Sequence, residues 1–433
     1  MAPSTPSCEL GHVRFIPLTY DSQSDNGEEH ASARKLILTL VPEWAETDGS
    51  KLKFVRFTDG ITNTLLKVVN QKPGLSNADL DRDAILLRAY GKGTAILIDR
   101  EREAANHELL MKYDLAPALL ARFENGMLYR YISGTPATHA DLRETSTLLA
   151  VARRLAQWHA TVPCISDVSL KPNGAANGIS HTNGNTDKNI IENTAPGKPA
   201  PNLWTVMHKW ILALPQNTQA ERERQDLLLR EMKYLVEKLS QRPGLGQDGL
   251  VFAHCDLLCA NIIMHKVGDN ATNGHSQSNG ASTSNGKSAT ETVSFIDYEY
   301  ATPSPAAFDI ANHFAEWAGY DCDYNMVPTK AHRHAFISQY VKTYIELTGE
   351  ELDHEEATQK LFDEVDIFRG VPGFYWGIWS LIQAMISDID FDYAAYAESR
   401  LGEYWAFKAE ADGSRAASGK EMPLRERTWA KAE

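Results

Sequence analysis

The residues that could do chemistry sit in two short segments. One is His254-Cys255-Asp256-Leu257-Leu258-Cys259-Ala260-Asn261, followed by Ile262-Ile263. The other is Phe295-Ile296-Asp297-Tyr298-Glu299-Tyr300. Phosphoryl transfer needs a carboxylate beside the attacking hydroxyl and an oxygen ligand for a metal on the phosphates. An Asp followed by an Asn in one loop supplies both, here Asp256 and Asn261. An Asp leaving an apolar strand, as Asp297 does, can hold Mg²⁺ on a nucleotide through hard carboxylate oxygens. Either segment alone is also compatible with a capped turn; their order and apolar flanks favour phosphotransfer.

Other segments are weaker signals. The hairpin Phe57-Thr58-Asp59-Gly60-Ile61-Thr62-Asn63-Thr64 has a glycine that could bring backbone N–H groups to phosphate. Asp-Gly between strands is more often simply a turn. Arg88 could reach phosphates from a sheet and Glu103 could brace it, the plain alternative being a surface pair worth little. Trp376 and Trp379 are three apart on one helix face, with Phe391, Tyr393 and Tyr396 beyond and Glu316 and Trp317 upstream. Aromatic faces with a carboxylate make a pocket for an ammonium group, though by spacing alone aromatic core is the commoner reading. Gly244-Leu245-Gly246-Gln247-Asp248-Gly249 satisfies G-x-G-x-x-G but precedes a strand, so the dinucleotide reading fails. Asp353-His354-Glu355-Glu356 reads as a solvated acidic helix face rather than a metal site.

These residues need elements to hold them. From 36 to 131, strand-like runs at Leu52–Phe57, Thr64–Val69, Ala84–Tyr90 and Leu128–Ile132, with one helix at about 100–112, predict a small antiparallel sheet. From 140 onward helix periodicity takes over, as in Leu148, Val151, Leu155 and Trp158 or Leu228, Met232, Leu235 and Leu239. Further helical segments are expected at 306–318, 330–347, 356–368 and 373–387. Short strands Leu250–Ala253, Ile262–Met264 and Val293–Ile296 flank the polar motifs. Residues 165–202 and 267–293 are rich in Asn, Gly, Ser and Thr and read as disordered insertions. The second should leave and re-enter the fold at nearby points. The fold class is α+β, in two lobes with a protein-kinase-like order. The expected division is an N-terminal extension at 1–35, an N-lobe at 36–132, a C-lobe at 133–408 and a charged C-terminal tail at 409–433.

The whole chain has 433 residues and a net charge of −14. That length suits more than one lobe, and the acidic balance argues against nucleic acid as a partner. No apolar run approaches a spanning helix, and the first residues carry no secretory signal. Five scattered cysteines suit a reducing compartment. The expectation is a cytoplasmic protein with no membrane insertion.

On these residues the chain resembles the choline/ethanolamine kinase family, outside the insertions, from about 35 to 408. Phe57–Asn63, Leu257-Leu258-Cys259 and Ile389-Asp390-Phe391-Asp392-Tyr393 are similar to its ethanolamine-kinase branch. Phe308–Trp317 is similar to the family as a whole. The resemblance implies MgATP-dependent phosphorylation of ethanolamine as the first step of the CDP-ethanolamine route to phosphatidylethanolamine; a choline or dual choline/ethanolamine kinase and, from a different class, a non-catalytic nucleotide-binding scaffold are the alternatives. It implies Asp256 as base and Asn261 and Asp297 as Mg²⁺ ligands. The ATP site would draw on Thr58, Gly60, Ile61, Thr62, Asn63, Thr64 and Arg88, with Glu103 orienting Arg88. Tyr129, Tyr131 and Ile132 would lie in the hinge beside adenine. Tyr300, Glu316, Trp376, Trp379, Tyr393 and Tyr396 would form the amine pocket. A homodimer is compatible with the resemblance. Cys255, Ala260 and Arg130 depart from the family pattern, and none is a phosphotransfer group.

Overall fold

The computed structural model describes residues 13–22, 30–46, 52–57, 63–91, 93–164, 191, 193–265 and 291–433. They divide into two units. The first takes in described residues up to Thr94 together with Ala116–Ser133, and the second holds Ala95–Leu115 and the described residues from Gly134 on.

The first unit is built on one sheet. Its strands are β1 (Arg14–Ile16), β2 (Leu52–Phe57), β3 (Asn63–Asn70), β4 (Ile85–Tyr90), β5 (Leu119–Phe123) and β6 (Gly126–Arg130), in the order β1-β5-β6-β4-β3-β2. Every pairing is antiparallel except β1 with β5. The expected strands are present; β1 and β5 were not anticipated, being short or lacking a clear alternation. Leu66 and Val68 of β3, Ile85 and Leu87 of β4 and Leu128 of β6 alternate into one core. Helix α1 (Ala31–Leu40) closes that core with Leu36 and Ile37. Helix α2 (Asn77–Asp83) starts at Ser76, whose hydroxyl accepts the Asp79 N–H. A Cβ on Gly126 would lie 2.1 Å from the Arg88 carbonyl oxygen, so only glycine lets β6 approach β4 there.

The unit's composition differs from the expected 36–132. Strand β1 and helix α1 join it from the anticipated extension, and helix α3 (Arg100–Lys112) packs with the second unit instead. Asn106 on α3 explains the attachment, since its Nδ2 donates to the buried Ala301 carbonyl at 2.8 Å.

The second unit is mainly helical. In chain order it contains β7 (Thr135–Pro136), α4 (Thr145–Thr161), α5 (Leu203–Leu212), α6 (Gln219–Leu239), β8 (Val251–Ala253), β9 (Ile262–His265), β10 (Thr292–Phe295) and β11 (Thr302–Ser304). There follow α7 (Ala306–Ala315), α8 (Lys330–Thr348), α9 (His354–Phe368), α10 (Val371–Ile386), α11 (Tyr393–Ala411), α12 (Ser414–Ala417) and α13 (Leu424–Ala430). Strands β7, β9 and β10 form one small sheet, β8 and β11 another.

Parts of both expected insertions belong to the fold, while residues 165–190, 192 and 267–290 lie outside the described residues. Residues 193–202 are ordered, with Ala195 buried and Asn202 forming a capping box with Thr205 at the start of α5. Thr292 and Val293 belong to β10, and Thr292 pairs with His265 of β9. That register brings the two sides of the second insertion together, as expected. The anticipated charged tail is also corrected. Residues 409–433 complete α11 and form α12 and α13, and Arg425, Glu426 and Trp429 are buried.

Candidate active site

The loop after β8 is held by hydrogen bonds to α7, placed there by the β11 turn that precedes it. The Asp309 carboxylate accepts the backbone N–H of His254 at 2.9 Å and of Cys255 at 2.8 Å. Asn312 Nδ2 donates to the Cys255 carbonyl at 2.9 Å, and His313 Nδ1 donates to the Leu257 carbonyl at 2.8 Å. Cys255 has φ +62°, an unfavourable region for a residue with a Cβ. The bonds on both sides of Cys255 impose that conformation, and the chain then presents Asp256.

A second set of bonds ties this loop to the segment carrying Asp297. His254 Nε2 donates to the Ile296 carbonyl at 3.0 Å, while its Nδ1 accepts the Asp256 N–H at 3.3 Å. Those two roles assign the neutral Nε2–H tautomer. Burial, only partly offset by Asp309 and the Ile296 carbonyl, brings the His254 pKa down to about 4, consistent with that tautomer. The Ile296 N–H donates back to the Asn261 carbonyl at 3.0 Å. Asn261 Nδ2 donates to the Asp256 carbonyl at 2.9 Å and to Asp256 Oδ2 at 3.3 Å. Its Oδ1 oxygen can then serve a cation.

Carboxylates gather here. Burial first, then Asp297, Glu316 and Glu299, push the Asp256 carboxyl well above its ordinary range. Glu299 is itself met by Arg100 Nη1 at 3.2 Å, and the same guanidinium nitrogen lies 2.8 Å from Glu103. Glu103 therefore has an arginine partner within the second unit.

Beside the carboxylates runs an aromatic wall. Tyr300 meets Trp376 edge-on at 5.8 Å between centroids, Trp376 meets Trp379 at 5.5 Å, and Trp379 meets Tyr393 at 5.9 Å. Phe391 lies 4.8 Å from Tyr393 and 5.5 Å from Tyr396. Both indole N–H groups are used, Trp379 donating to Tyr300 Oη at 2.7 Å and Trp376 to Asn312 Oδ1 at 2.8 Å. Tyr300, Trp376, Trp379, Phe391, Tyr393 and Tyr396 thus form one continuous series of ring contacts, joined through Asn312 to the loop that carries Asp256, whereas Trp317 packs against His313, Phe314 and His332.

That combination of an Asp–Asn loop, a following Asp and an aromatic wall is the arrangement the resemblance implies. The family profile described as choline/ethanolamine kinase matches residues 54–405. This chain belongs to the choline/ethanolamine kinase family. A probable ethanolamine kinase of Nematostella vectensis is 33% identical over 89% of this chain and 95% of its own length. Ethanolamine kinase 2 of Homo sapiens is 31% identical over 90% of this chain and 83% of its own. Among solved structures, an ethanolamine kinase of Plasmodium vivax is 26% identical, covers 88% of this chain and 89% of its own, and superposes with a TM-score of 0.62. A choline kinase of Cryptosporidium parvum, 22% identical over 89% and 96% with a TM-score of 0.57, shares the fold.

Two residues named from sequence have partners that their spacing did not show. The buried Arg400 donates Nη2 to Glu316 Oε1 at 3.0 Å. Arg130, the unusual residue near the hinge, donates Nη1 to the Asp83 carbonyl at 2.7 Å at the C-terminus of α2. Its charge is thus engaged by the backbone. Tyr131 stacks with Phe57 at 6.4 Å and lies under Lys67, whose Nζ is 3.8 Å from its ring centroid. Lys67 also pairs with Asp81 at 2.7 Å. Tyr129 lies on β6, Ile132 just beyond it, and both are half-buried; Arg88 is buried on β4, while Asn63 and Thr64 open β3. Thr58, Gly60, Ile61 and Thr62 lie outside the described residues.

Sequence reasoning passed over Tyr320 and Arg400. Tyr320 is 44% exposed yet packs against Tyr396 at 6.0 Å and Phe391 at 6.3 Å, extending the wall. Burial of its hydroxyl end, then Asp256 and Glu316, push its phenol well above the ordinary value. Its place after the Glu316-Trp317 pair was the available signal. Arg400 had none, standing in a helix of mixed charge.

The donor set fits Mg²⁺. Among the described residues no cluster of three or more His, Cys, Asp or Glu forms a protein cage. Mg²⁺ keeps waters and substrate phosphates and takes only one or two protein oxygens, which Asp297 and Asn261 Oδ1 can supply.

Proposed function

We propose that this chain transfers the γ-phosphoryl group of ATP to the hydroxyl of ethanolamine, giving phosphoethanolamine and ADP. The observation that carries the reading is the hydrogen-bonded pairing of the Asp256 loop with the Asp297 segment beside an aromatic wall. The ethanolamine kinases among its relatives support the acceptor. The reaction would be the first step of the CDP-ethanolamine route to phosphatidylethanolamine, and two soluble substrates suit the cytoplasm. No helix among the described residues is long and apolar enough to cross a membrane.

In this reading Asp256 accepts the proton of the ethanolamine hydroxyl as its oxygen attacks Pγ and the bond to the bridging oxygen of ADP breaks. Asn261 fixes the Asp256 carboxylate through its Nδ2, and Asp297 with Asn261 Oδ1 would hold Mg²⁺. Bound there, Mg²⁺ offsets the charge of the phosphates and of the gathered carboxylates. Arg88, with Asn63, Thr64 and the preceding hairpin, would bind phosphate, and Tyr129, Tyr131 and Ile132 would border adenine. The ammonium group would sit against Tyr300, Trp376, Trp379, Tyr393 and Tyr396 with Glu316 at its edge. Three N–H donors let ethanolamine use acceptors that choline cannot, so choline is the poorer substrate.

The test is MgATP-dependent phosphorylation of ethanolamine and choline side by side on the purified protein, with Asp256→Ala as blank. Turnover mainly on ethanolamine supports the reading. Preference for choline keeps the chemistry and moves the acceptor, and no turnover on either overturns it.

A further inference from the structure

We propose that helix α13 positions the amine pocket, acting through a buried chain of alternating charges that ends on Glu316. The proposal rests on the reading of Glu316 as the edge of that pocket.

The chain can be followed atom by atom. Arg400, with none of its side chain exposed, donates to Glu316 at 3.0 Å and places Nε 3.7 Å from Glu403 Oε2. The same Glu403 oxygen lies 3.5 Å from Arg425 Nε on α13. Arg425 Nη1 reaches Glu426 Oε1 at 3.1 Å, and Glu426 Oε2 takes Arg369 Nε at 3.1 Å. Each carboxylate therefore lies between arginines or ends a series of them, and Glu316 is the member that senses Asp256. The Arg400 guanidinium also lies 5.8 Å from the Tyr396 ring.

This sharing matters because Arg400 serves two carboxylates. Arg425 offsets part of the charge on Glu403. Without Arg425, Glu403 competes for Arg400 and draws it from Glu316, leaving a buried carboxylate that gains a proton or moves. Stability alone is a weak reason for such a chain, since apolar side chains fill buried space at least as well.

Helix α13 is also seated by Trp429 and the residues beyond it, although Arg425 itself lies 5.8 Å from the Trp429 ring and donates to the Arg369 carbonyl at 2.8 Å. Trp429 Nε1 donates to Asp366 at 2.8 Å, and Arg333 stacks 3.9 Å over the Trp429 ring and donates to its carbonyl at 2.8 Å. The Lys431 and Ala432 carbonyls accept the first N–H groups of α8, at 2.9 and 3.0 Å. Trp429→Phe removes the Asp366 bond without removing a charge, and so serves as the control for docking.

The experiment compares Arg425→Met, Arg425→Lys and Trp429→Phe in the full chain, measuring KM for ethanolamine, KM for ATP, kcat and Tm. Arg425→Met should raise KM for ethanolamine about tenfold, within the usual range of coupling between distant sites, and leave KM for ATP unchanged. Arg425→Lys should restore most of that loss. Trp429→Phe should lower Tm with no change in KM. If Arg425→Met does not fold, Arg425→Gln removes the same charge with a polar side chain and carries the same expectation. An unmoved KM for ethanolamine in the charge variants, or an equal rise in Trp429→Phe, overturns the proposal while leaving the functional reading intact. Absence of wild-type turnover on ethanolamine overturns that reading, and the proposal falls with it.

Discussion

The Asp309 carboxylate stands 3.0 Å from His159 Nε2, with neither side chain reaching solvent. The other nitrogen of the same imidazole lies 2.7 Å from Tyr340 Oη. This pair fixes the carboxylate that, in turn, receives the N–H groups of His254 and Cys255. The geometry of Asp256 therefore depends on a histidine from α4 and a tyrosine from α8.

Asp309→Asn keeps the side-chain shape but replaces one acceptor oxygen with a donor and removes the charge. We expect a stability loss of about 3–5 kcal/mol, the usual cost of breaking a buried pair, with kcat falling and KM for ATP nearly unchanged. Urea denaturation with steady-state kinetics checks this; a variant as stable and active as wild type would remove Asp309 from the account.

Removing a metal-site oxygen should be graded. Asp297→Ala is expected to abolish turnover at any Mg²⁺ concentration. Asn261→Ala should leave residual turnover that rises with added Mg²⁺, because Asn261 also fixes Asp256. A metal titration of both variants reads the difference, and a Mg²⁺ dependence unchanged from wild type in either would show that its side chain does not hold the cation.

Acid should destabilise the protein through two buried histidines. Burial holds His254 and His313 at about 4, against roughly 6.5 in an unfolded chain. Between those values the unfolded state binds more protons, so stability falls as pH drops from about 6.5 towards 4, by up to roughly 3 kcal/mol for each histidine. Asp309 adds a later loss. Burial by itself raises its carboxyl, but the hydrogen bonds it makes with His159 and with the His254 backbone N–H outweigh that and hold it below the ordinary value. Its contribution is complete above the unfolded carboxyl pKa of about 3.9 and disappears as pH falls through its lower folded value. Urea midpoints at pH 7.5, 6 and 5 test the histidine component, and a flat series would contradict it.

Helix α10 approaches α11 closely through small residues. A Cβ on Gly373 would lie 2.6 Å from the Arg400 carbonyl oxygen, and one on Gly377 would lie 2.7 Å from the Leu401 side chain. Gly373→Ala meets backbone, so the helices must separate, at a cost of about 1–3 kcal/mol. Because Trp376 and Arg400 sit at that contact, KM for ethanolamine should rise as well. Gly377→Ala meets a flexible leucine and should be milder. Equal effects from the two substitutions would argue against the backbone clash.

The chemistry was legible in sequence because it is local. His254, Asp256 and Asn261 share one loop, Asp297 follows one strand, and Trp376 and Trp379 are three apart on one helix. Chain spacing largely determines such relationships, as alternation did for β2, β3 and β4. What the sequence by itself could not determine was the pairing of distant charges. Glu316 read as a carboxylate awaiting an amine, yet its partner Arg400 lies 84 residues away. Residues 409–433 read as a charged tail, and Arg425, Glu426 and Lys431 are among its charges. Only the tertiary structure surrounds Arg425 and Glu426 with opposite charges and turns the Lys431 carbonyl towards α8. Local periodicity reports which face of an element is apolar. Whether a buried charge has a partner is decided by which other elements the fold brings against it.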